Sequence, residues 1–544
     1  MITNKKYFVS MMLIVGFLTV LPVISLFQYA FFSENHFSLK EMTTILMMNQ
    51  TYQLLIQSLK LGGWVVLGTL LIAFPLALIT TKTTLKKYQW LDILFTLPFM
   101  TPPYIGAMGW ILFMQKNGFL TQLFPSLAGL STPFFSLFGM VMIMSLHLFP
   151  TFYLMLKNSM LTLEGSFQDA AKIYGKNSFV NWLKISLPLL IPSFLLGGLF
   201  IFVKTLAEFG TPVTFGTRIG YRVFTTEIHV NLSSWPVNIP KATQLSFVLF
   251  ILCFILWLIQ VKIIQKFIYG TVSASTRAPR IVTNKWIQGL SVLFVIVILL
   301  FAIGIPYFSI LMTSLMKIRG DGLAFSNLSL DAYIQLLQNQ NGGLSAFLNS
   351  LLFAILTGMI TATIGFFAGI YIYKGTRYSQ KLIDFFGLIP NIVPGIVMVV
   401  GLMLFWNASW LPVSFYNTRA MAILTYCTLF LPYSIQYVKN SMLQLNESIF
   451  EATDVFSESS LQAFIRIYFP LLKRGVLTGM MMTFIISMRE LVGSLLILPP
   501  SVETSATFIY RQFEQGNASA GMAMAVLTII MTCFLMIWIE KNKK

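Results

Sequence analysis

Among the ionisable residues inside otherwise apolar stretches of sequence are Lys204 and Glu208, then Arg489 and Glu490. A charged side chain at the centre of a bilayer costs at least ~2.5–3.5 kcal/mol on insertion scales, so these four are candidates for lining or gating a transport pathway. A plainer reading stands beside it. Lys204 and Glu208 are four residues apart and can pair on one helix face, while Arg489 can snorkel or meet a backbone carbonyl. Other chemistry is thinly supplied. His36, His147 and His229 are too scattered to make a metal site by spacing, and the 29 methionines read as packing material for lipid-facing helices. Cys253, Cys427 and Cys533 all lie in apolar runs and offer neither a disulfide framework nor a metal-ligand spacing. No cluster of the Ser/His/Asp, Cys/His or metal-ligand type is present, so no catalytic residue and no metal site is assigned.

The elements that would position the charges are organised around a polar segment that occurs twice, Leu163 to Pro188 and Leu445 to Pro470. Each copy follows the same pentapeptide, Lys157-Asn158-Ser159-Met160-Leu161 and Lys439-Asn440-Ser441-Met442-Leu443, at an offset of 282 residues. Pro188 and Pro470 keep that offset, and so do Glu208 and Glu490. Each copy has acids first and bases later, the charge order of a short surface helix, and lies between long apolar segments. It reads as a helical hairpin outside the lipid.

Composition sets the class. With 56% hydrophobic residues, 10% charged and a mean hydropathy of +0.78, the solvent of this chain is mostly lipid. The excess of 36 Lys and Arg over 18 Asp and Glu has no soluble domain on which to cluster, which argues against a nucleic-acid partner and for topology signals. Apolar runs near the roughly 20 residues needed to cross a bilayer fall at 7–32, 56–81, 88–114, 136–161, 188–212 and 244–265, and again at 287–316, 347–373, 382–406, 418–441, 474–498 and 519–540. The first lacks a small-x-small cleavage site and is read as a retained span. The expected fold is an all-α membrane protein of twelve transmembrane helices. Placing both termini on the cytoplasmic side puts 24 of the 36 Lys and Arg there, together with both polar inserts, as the positive-inside bias requires.

The halves also match upstream of the inserts. Leu97-Pro98 with Pro102 answers Ile389-Pro390 with Pro394 at an offset of 292, so a loop between the third and fourth runs is ten residues shorter in the second half. Two six-span repeats of the same orientation imply a pseudo-two-fold axis along the membrane normal. A polar, breaker-rich linker from Gln265 to Lys285 marks the domain boundary, giving units 1–275 and 276–544. On this reading Glu208 and Glu490, each 20 residues beyond its proline, lie about 30 Å along the helix, toward the outer half of a pathway, where the repeat brings them toward each other.

At this point the residues carry a family resemblance. Asp169-Ala170-Ala171 with Gly175 and Ile185-Ser186-Leu187-Pro188, and Glu451-Ala452-Thr453 with Ser457 and Ile467-Tyr468-Phe469-Pro470, resemble the Glu-Ala-Ala loop of permease subunits of bacterial binding-protein-dependent ABC importers. Asp169, Thr453 and Ser457 depart from that pattern, which has Glu, Ala and Gly there. The fused form, with Pro390-Asn391-Ile392-Val393-Pro394-Gly395 and Ala207-Glu208-Phe209-Gly210, is most similar to ferric-iron importer permeases of the type I architecture; polyamine, thiamine and aminoethylphosphonate permeases are near it. The resemblance implies a multi-pass protein of the bacterial cytoplasmic membrane, a pair of ABC ATPase subunits on the cytoplasmic side, and an extracytoplasmic substrate-binding protein. It also implies ATPase-coupling loops carried by Glu164, Asp169, Ala170, Ala171, Gly175 and Pro188 and by Glu447, Glu451, Ala452, Ser457 and Pro470. Physically, Ala170 and Ala171 keep a helix face flat for a partner groove, and Gly175 ends the helix. The leading carboxylates sit in the first turn, and each proline starts the next span where its missing N–H is harmless.

The resemblance implies no cofactor bound by this chain, ATP and Mg being used by the partner. Gly175-Lys176-Asn177 imitates the end of a P-loop, but Ala170 stands where the leading Gly belongs and Asn177 replaces Ser or Thr. An ion-driven secondary transporter could share the two six-span halves, but it needs no repeated cytoplasmic insert, and paired intramembrane carboxylates would be its signature.

Overall fold

The computed structural model describes residues 5–33, 36–173, 184, 187–267, 284–374, 377–445, 448–449, 462 and 464–541. Its principal helices in chain order are α1 (Lys5–Phe31), α2 (Asn49–Lys82), α3 (Trp90–Met100), α4 (Pro103–Met114), α5 (Leu137–Ile173), α6 (Leu187–Ala207), α7 (Phe224–Ser233), α8 (Ile239–Phe267) and α9 (Lys285–Leu315). They continue as α10 (Gly343–Lys374), α11 (Arg377–Ile392), α12 (Gly395–Trp406), α13 (Arg419–Leu443), α14 (Phe469–Ser487), α15 (Val492–Ile497), α16 (Ser505–Glu514) and α17 (Ala518–Lys541). A two-residue antiparallel pairing of Phe32–Ser33 with His36–Phe37 follows α1.

Among the described residues ten helices are long and apolar enough to cross a membrane, or eleven if the bent pair α11 and α12 is one span. Of the twelve expected spans, the third and the ninth are interrupted. The run 88–114 is split into α3 and α4 at Thr101 and Pro102, and α11 meets α12 at 109° beside Pro394. Proline removes a backbone donor and disfavours helical geometry in the residue before it, which ends each first segment. The fifth and eleventh runs also stop early, at Ala207 and Ser487, just before Glu208 and Arg489.

Within the long helices, buried hydroxyls turn back onto their own backbone, as the absence of water demands. Thr69 Oγ1 donates to Val65 O at 2.6 Å, Thr19 Oγ1 to Val15 O at 2.8 Å, and Thr361 Oγ1 to Thr357 O at 2.8 Å. Pro150 and Pro432, also 282 residues apart, sit inside α5 and α13 without ending them.

The chain packs as two compact units. One comprises residues 49–226 and 251–328; the other comprises residues 1–48, 227–250 and 329–544. Each unit therefore contains the first helix of the opposite sequence repeat, and both seat it in the same way. In the first unit, a Cβ on Gly109 of α4 would lie 2.8 Å from the carbonyl oxygen of Pro306 in α9. In the second unit, a Cβ on Gly401 of α12 would lie 2.6 Å from the carbonyl oxygen of Pro22 in α1. Gly109 and Gly401 are 292 residues apart, so one close helix crossing that only glycine permits is used twice. The linker between the repeats lies largely outside the described residues.

Candidate functional site

The first insert grows directly out of a span. Helix α5 runs for 37 residues, about 55 Å at 1.5 Å per residue, well beyond a hydrocarbon core of about 30 Å, and it carries Glu164, Asp169, Ala170 and Ala171 on continuous helical backbone. Gly175 lies outside the described residues, as do Glu447, Glu451, Ala452 and Ser457 of the second insert. Pro188 is the second residue of α6 and Pro470 the second of α14. Helix α14 follows directly on a π-helical turn, Phe464–Tyr468.

Beside each insert the structure brings together a pair that the sequence reading did not single out. Lys157 Nζ donates to Oδ1 and Oδ2 of Asp92 at 2.6 and 2.5 Å, and the Tyr153 hydroxyl also donates to that carboxylate. In the other unit Lys439 Nζ donates to Asp384 Oδ2 at 2.7 Å, and Gln436 Nε2 to Oδ1 at 3.0 Å. The lysines belong to the repeated pentapeptides. The aspartates repeat too, but at the upstream offset of 292 rather than 282, and that change of offset hid the pairing from a reading by spacing.

Glu208 and Glu490 lie at helix breaks, half-buried, and both are satisfied by backbone. The N–H of Thr211 donates to Glu208 Oε1 and Oε2 at 3.0 and 3.1 Å. Glu490 accepts from the N–H groups of Val492, Gly493 and Ser494 at 3.0, 2.9 and 3.2 Å, which are the unpaired donors at the start of α15. The alternative pairing of Lys204 with Glu208 is not formed among the described residues. Helix α6 ends at Ala207, so Glu208 leaves the face it would share with Lys204, whose ammonium instead stands 5.5 Å from the Phe200 ring centre. Arg489 occupies the unwound step between α14 and α15.

Elsewhere, the partly buried His147 stacks on Phe99 with ring centres 5.9 Å apart. Two further charges are internally engaged: Lys241 lies 3.9 Å from the buried Glu227, and Arg511 lies 2.7 Å from Glu503. Burial pushes the Glu503 carboxyl above its ordinary value, with the Arg511 charge opposing.

Residues 361–542 match the family described as the inner membrane component of binding-protein-dependent transport systems. That stretch is a permease domain of these systems. Over its whole length this chain is similar to a ferric transport system permease protein of Actinobacillus pleuropneumoniae, with 22% identity covering 98% of this chain and 77% of the relative. An Fe(3+)-transport system permease protein of Haemophilus influenzae is 23% identical, covering 94% of each chain. A molybdenum transport system permease protein of Escherichia coli is 28% identical over 31% of this chain and 73% of its own length. With its apolar helices and this domain, the chain is a multi-pass membrane protein, and its length agrees with the ferric relatives.

Proposed function

We propose that this chain forms the translocation pathway of an ATP-driven importer and couples it, through its two polar inserts, to a separate pair of ATPase subunits. The observation that carries the reading is α5, an unbroken helix that leaves the span and continues through Asp169, Ala170 and Ala171. A helix transmits displacement along its axis with little loss, so a partner that grips its free end can tilt the span behind it. ATP-driven closure of the partner pair then draws on both inserts and converts the pathway from inward-open to outward-open, the rigid-body rocking of repeated transporter halves. Glu208 and Glu490 sit at breaks that end the spans following the inserts, where a carboxylate that holds a helix start can serve as part of a gate.

The substrate we favour is ferric iron delivered by an extracytoplasmic binding protein, supported by the whole-length similarity to two permeases named for ferric transport. The test is uptake of radiolabelled iron, 2-aminoethylphosphonate, polyamine and thiamine by cells lacking the chain. Loss of iron uptake alone is the expected result, and loss restricted to another solute replaces the substrate while leaving the importer reading intact. Uptake in proteoliposomes that needs no ATPase subunit would instead favour an ion-driven transporter.

A further inference from the structure

The two ion pairs beside the inserts occupy the same place in each repeat, and each joins the same two kinds of helix. Asp92 stands in the first turn of α3, the segment ahead of the proline break, and Lys157 stands on α5, 16 residues before its last described residue, Ile173. Asp384 stands on α11, ahead of the 109° bend, and Lys439 stands on α13, four residues before its end and the second insert. In both cases the carboxylate takes a second donor from the same neighbouring helix, one turn earlier: Tyr153 in one unit and Gln436 in the other.

The apolar packing around the pairs has diverged. In the first unit Phe95 of α3 and Tyr153 of α5 meet edge to face, with ring centres 5.2 Å apart. The positions matching them in the second unit are Gly387 and Ile435, where the Ile435 side chain fills the space a Cβ on Gly387 would need, 2.8 Å away. The helices are thus held together by different apolar contacts, while the ammonium-carboxylate pair is kept. The side chains are 16–30% exposed, so water competes only in part for the charges.

We propose that Asp92–Lys157 and Asp384–Lys439 are positioning pairs, each fastening the helix that enters an insert to the helix ahead of a proline break. Displacement of the insert then turns the broken span instead of sliding past it. This rests on the reading of the inserts as coupling elements, but the fastening itself is a property of the chain alone. The second unit depends on its pair more heavily, because Gly387 presents no side chain to grip the neighbouring helix.

The experiment uses the full-length chain in lipid nanodiscs, with spin labels at the exposed positions Trp90 and Leu161 for one pair and Tyr378 and Leu443 for the other. Asp92→Asn and Asp384→Asn should each broaden the corresponding distance distribution at least twofold, Asp384→Asn the more. Reversing a pair, as in Asp92→Lys with Lys157→Asp, should restore the narrow distribution. Where the reversed pair fails to insert, Lys157→Arg, which keeps the pair, should remain narrow. Unchanged widths in both Asn variants overturn the proposal. With the ATPase of the same transport system co-expressed, the Asn variants should still co-purify with it and hydrolyse ATP, while radiolabelled iron taken up per ATP falls several-fold; an unchanged ratio also overturns it. If the unmodified chain recruits no ATPase, the coupling reading fails, and the distance distributions still judge the fastening separately.

Discussion

Glu490 caps the short helix that follows it: its Oε2 accepts the N–H of Gly493 at 2.9 Å. Its repeat counterpart Glu208 does the same for the segment after α6 through Thr211. A carboxylate at a helix start satisfies orphan donors and meets the positive end of the peptide dipoles, which explains how a charge is tolerated in an otherwise apolar run. Glutamine keeps an acceptor oxygen and removes the charge; alanine removes both. Glu208→Gln and Glu490→Gln should therefore leave folding and assembly with the ATPase intact while lowering uptake. The alanine variants should in addition lose about 0.5–2 kcal/mol of local stability, read as a lower midpoint in thermal unfolding of the solubilised protein. Normal uptake in both glutamine variants would reduce the two carboxylates to structural caps.

Helix α10 approaches α13 at Gly365, where an added Cβ would lie 2.8 Å from the backbone carbonyl carbon of Ser434 and 3.0 Å from the N of Ile435. Backbone cannot rotate away as a side chain can. Gly365→Ala should cost about 1–3 kcal/mol by overpacking, whereas Gly63→Ala, with nothing within 4 Å of the new methyl, should be neutral or gain up to about 1 kcal/mol from helix propensity. Thermal unfolding of the two variants side by side checks the contrast.

The distinction between those glycines was not legible in the sequence, and the reason is general for this chain. Hydropathy located the spans because their length answers to bilayer thickness, and the doubled pentapeptide located the inserts because it is local. Which helix packs on which is written in neither. The exchange of α1 and α9 between repeats rests on two Gly–Pro crossings, Gly401 with Pro22 and Gly109 with Pro306, whose partners are hundreds of residues apart. Asp92 and Asp384 escaped notice because their repeat offset differs from that of the lysines they meet. The breaks at Pro102 and Pro394 were visible as motifs, yet an uninterrupted apolar run masked them as continuous spans.

Helix α16 begins with a reciprocal cap in which the N–H of Thr507 donates to Thr504 Oγ1 at 3.4 Å, while the N–H of Thr504 donates to Thr507 Oγ1 at 2.9 Å. Both threonines are buried, so the freed groups have no water to turn to. Thr504→Ala should cost about 1 kcal/mol and raise hydrogen exchange across Ser505–Glu514, while leaving exchange in α5 unchanged. Equal protection of α16 in the variant and the unmodified chain would remove the cap from the account.

The last prediction concerns the inserts. Gly175 and Ser457 occupy matching positions after Asp169-Ala170-Ala171 and Glu451-Ala452-Thr453, where the proposed docking helix is expected to end. On that proposal aspartate adds a side chain and a negative charge at a helix C-terminus, the end at which the peptide dipoles oppose it. Neither position lies within an apolar run, so the spans insert as before. Gly175→Asp combined with Ser457→Asp should give a protein of normal abundance and normal melting that no longer couples: radiolabelled iron uptake falls at least tenfold, and the binding protein ceases to stimulate ATP hydrolysis in liposomes. Substrate-stimulated hydrolysis at the unmodified level in the double variant would show that the force enters this permease elsewhere than through the two inserts.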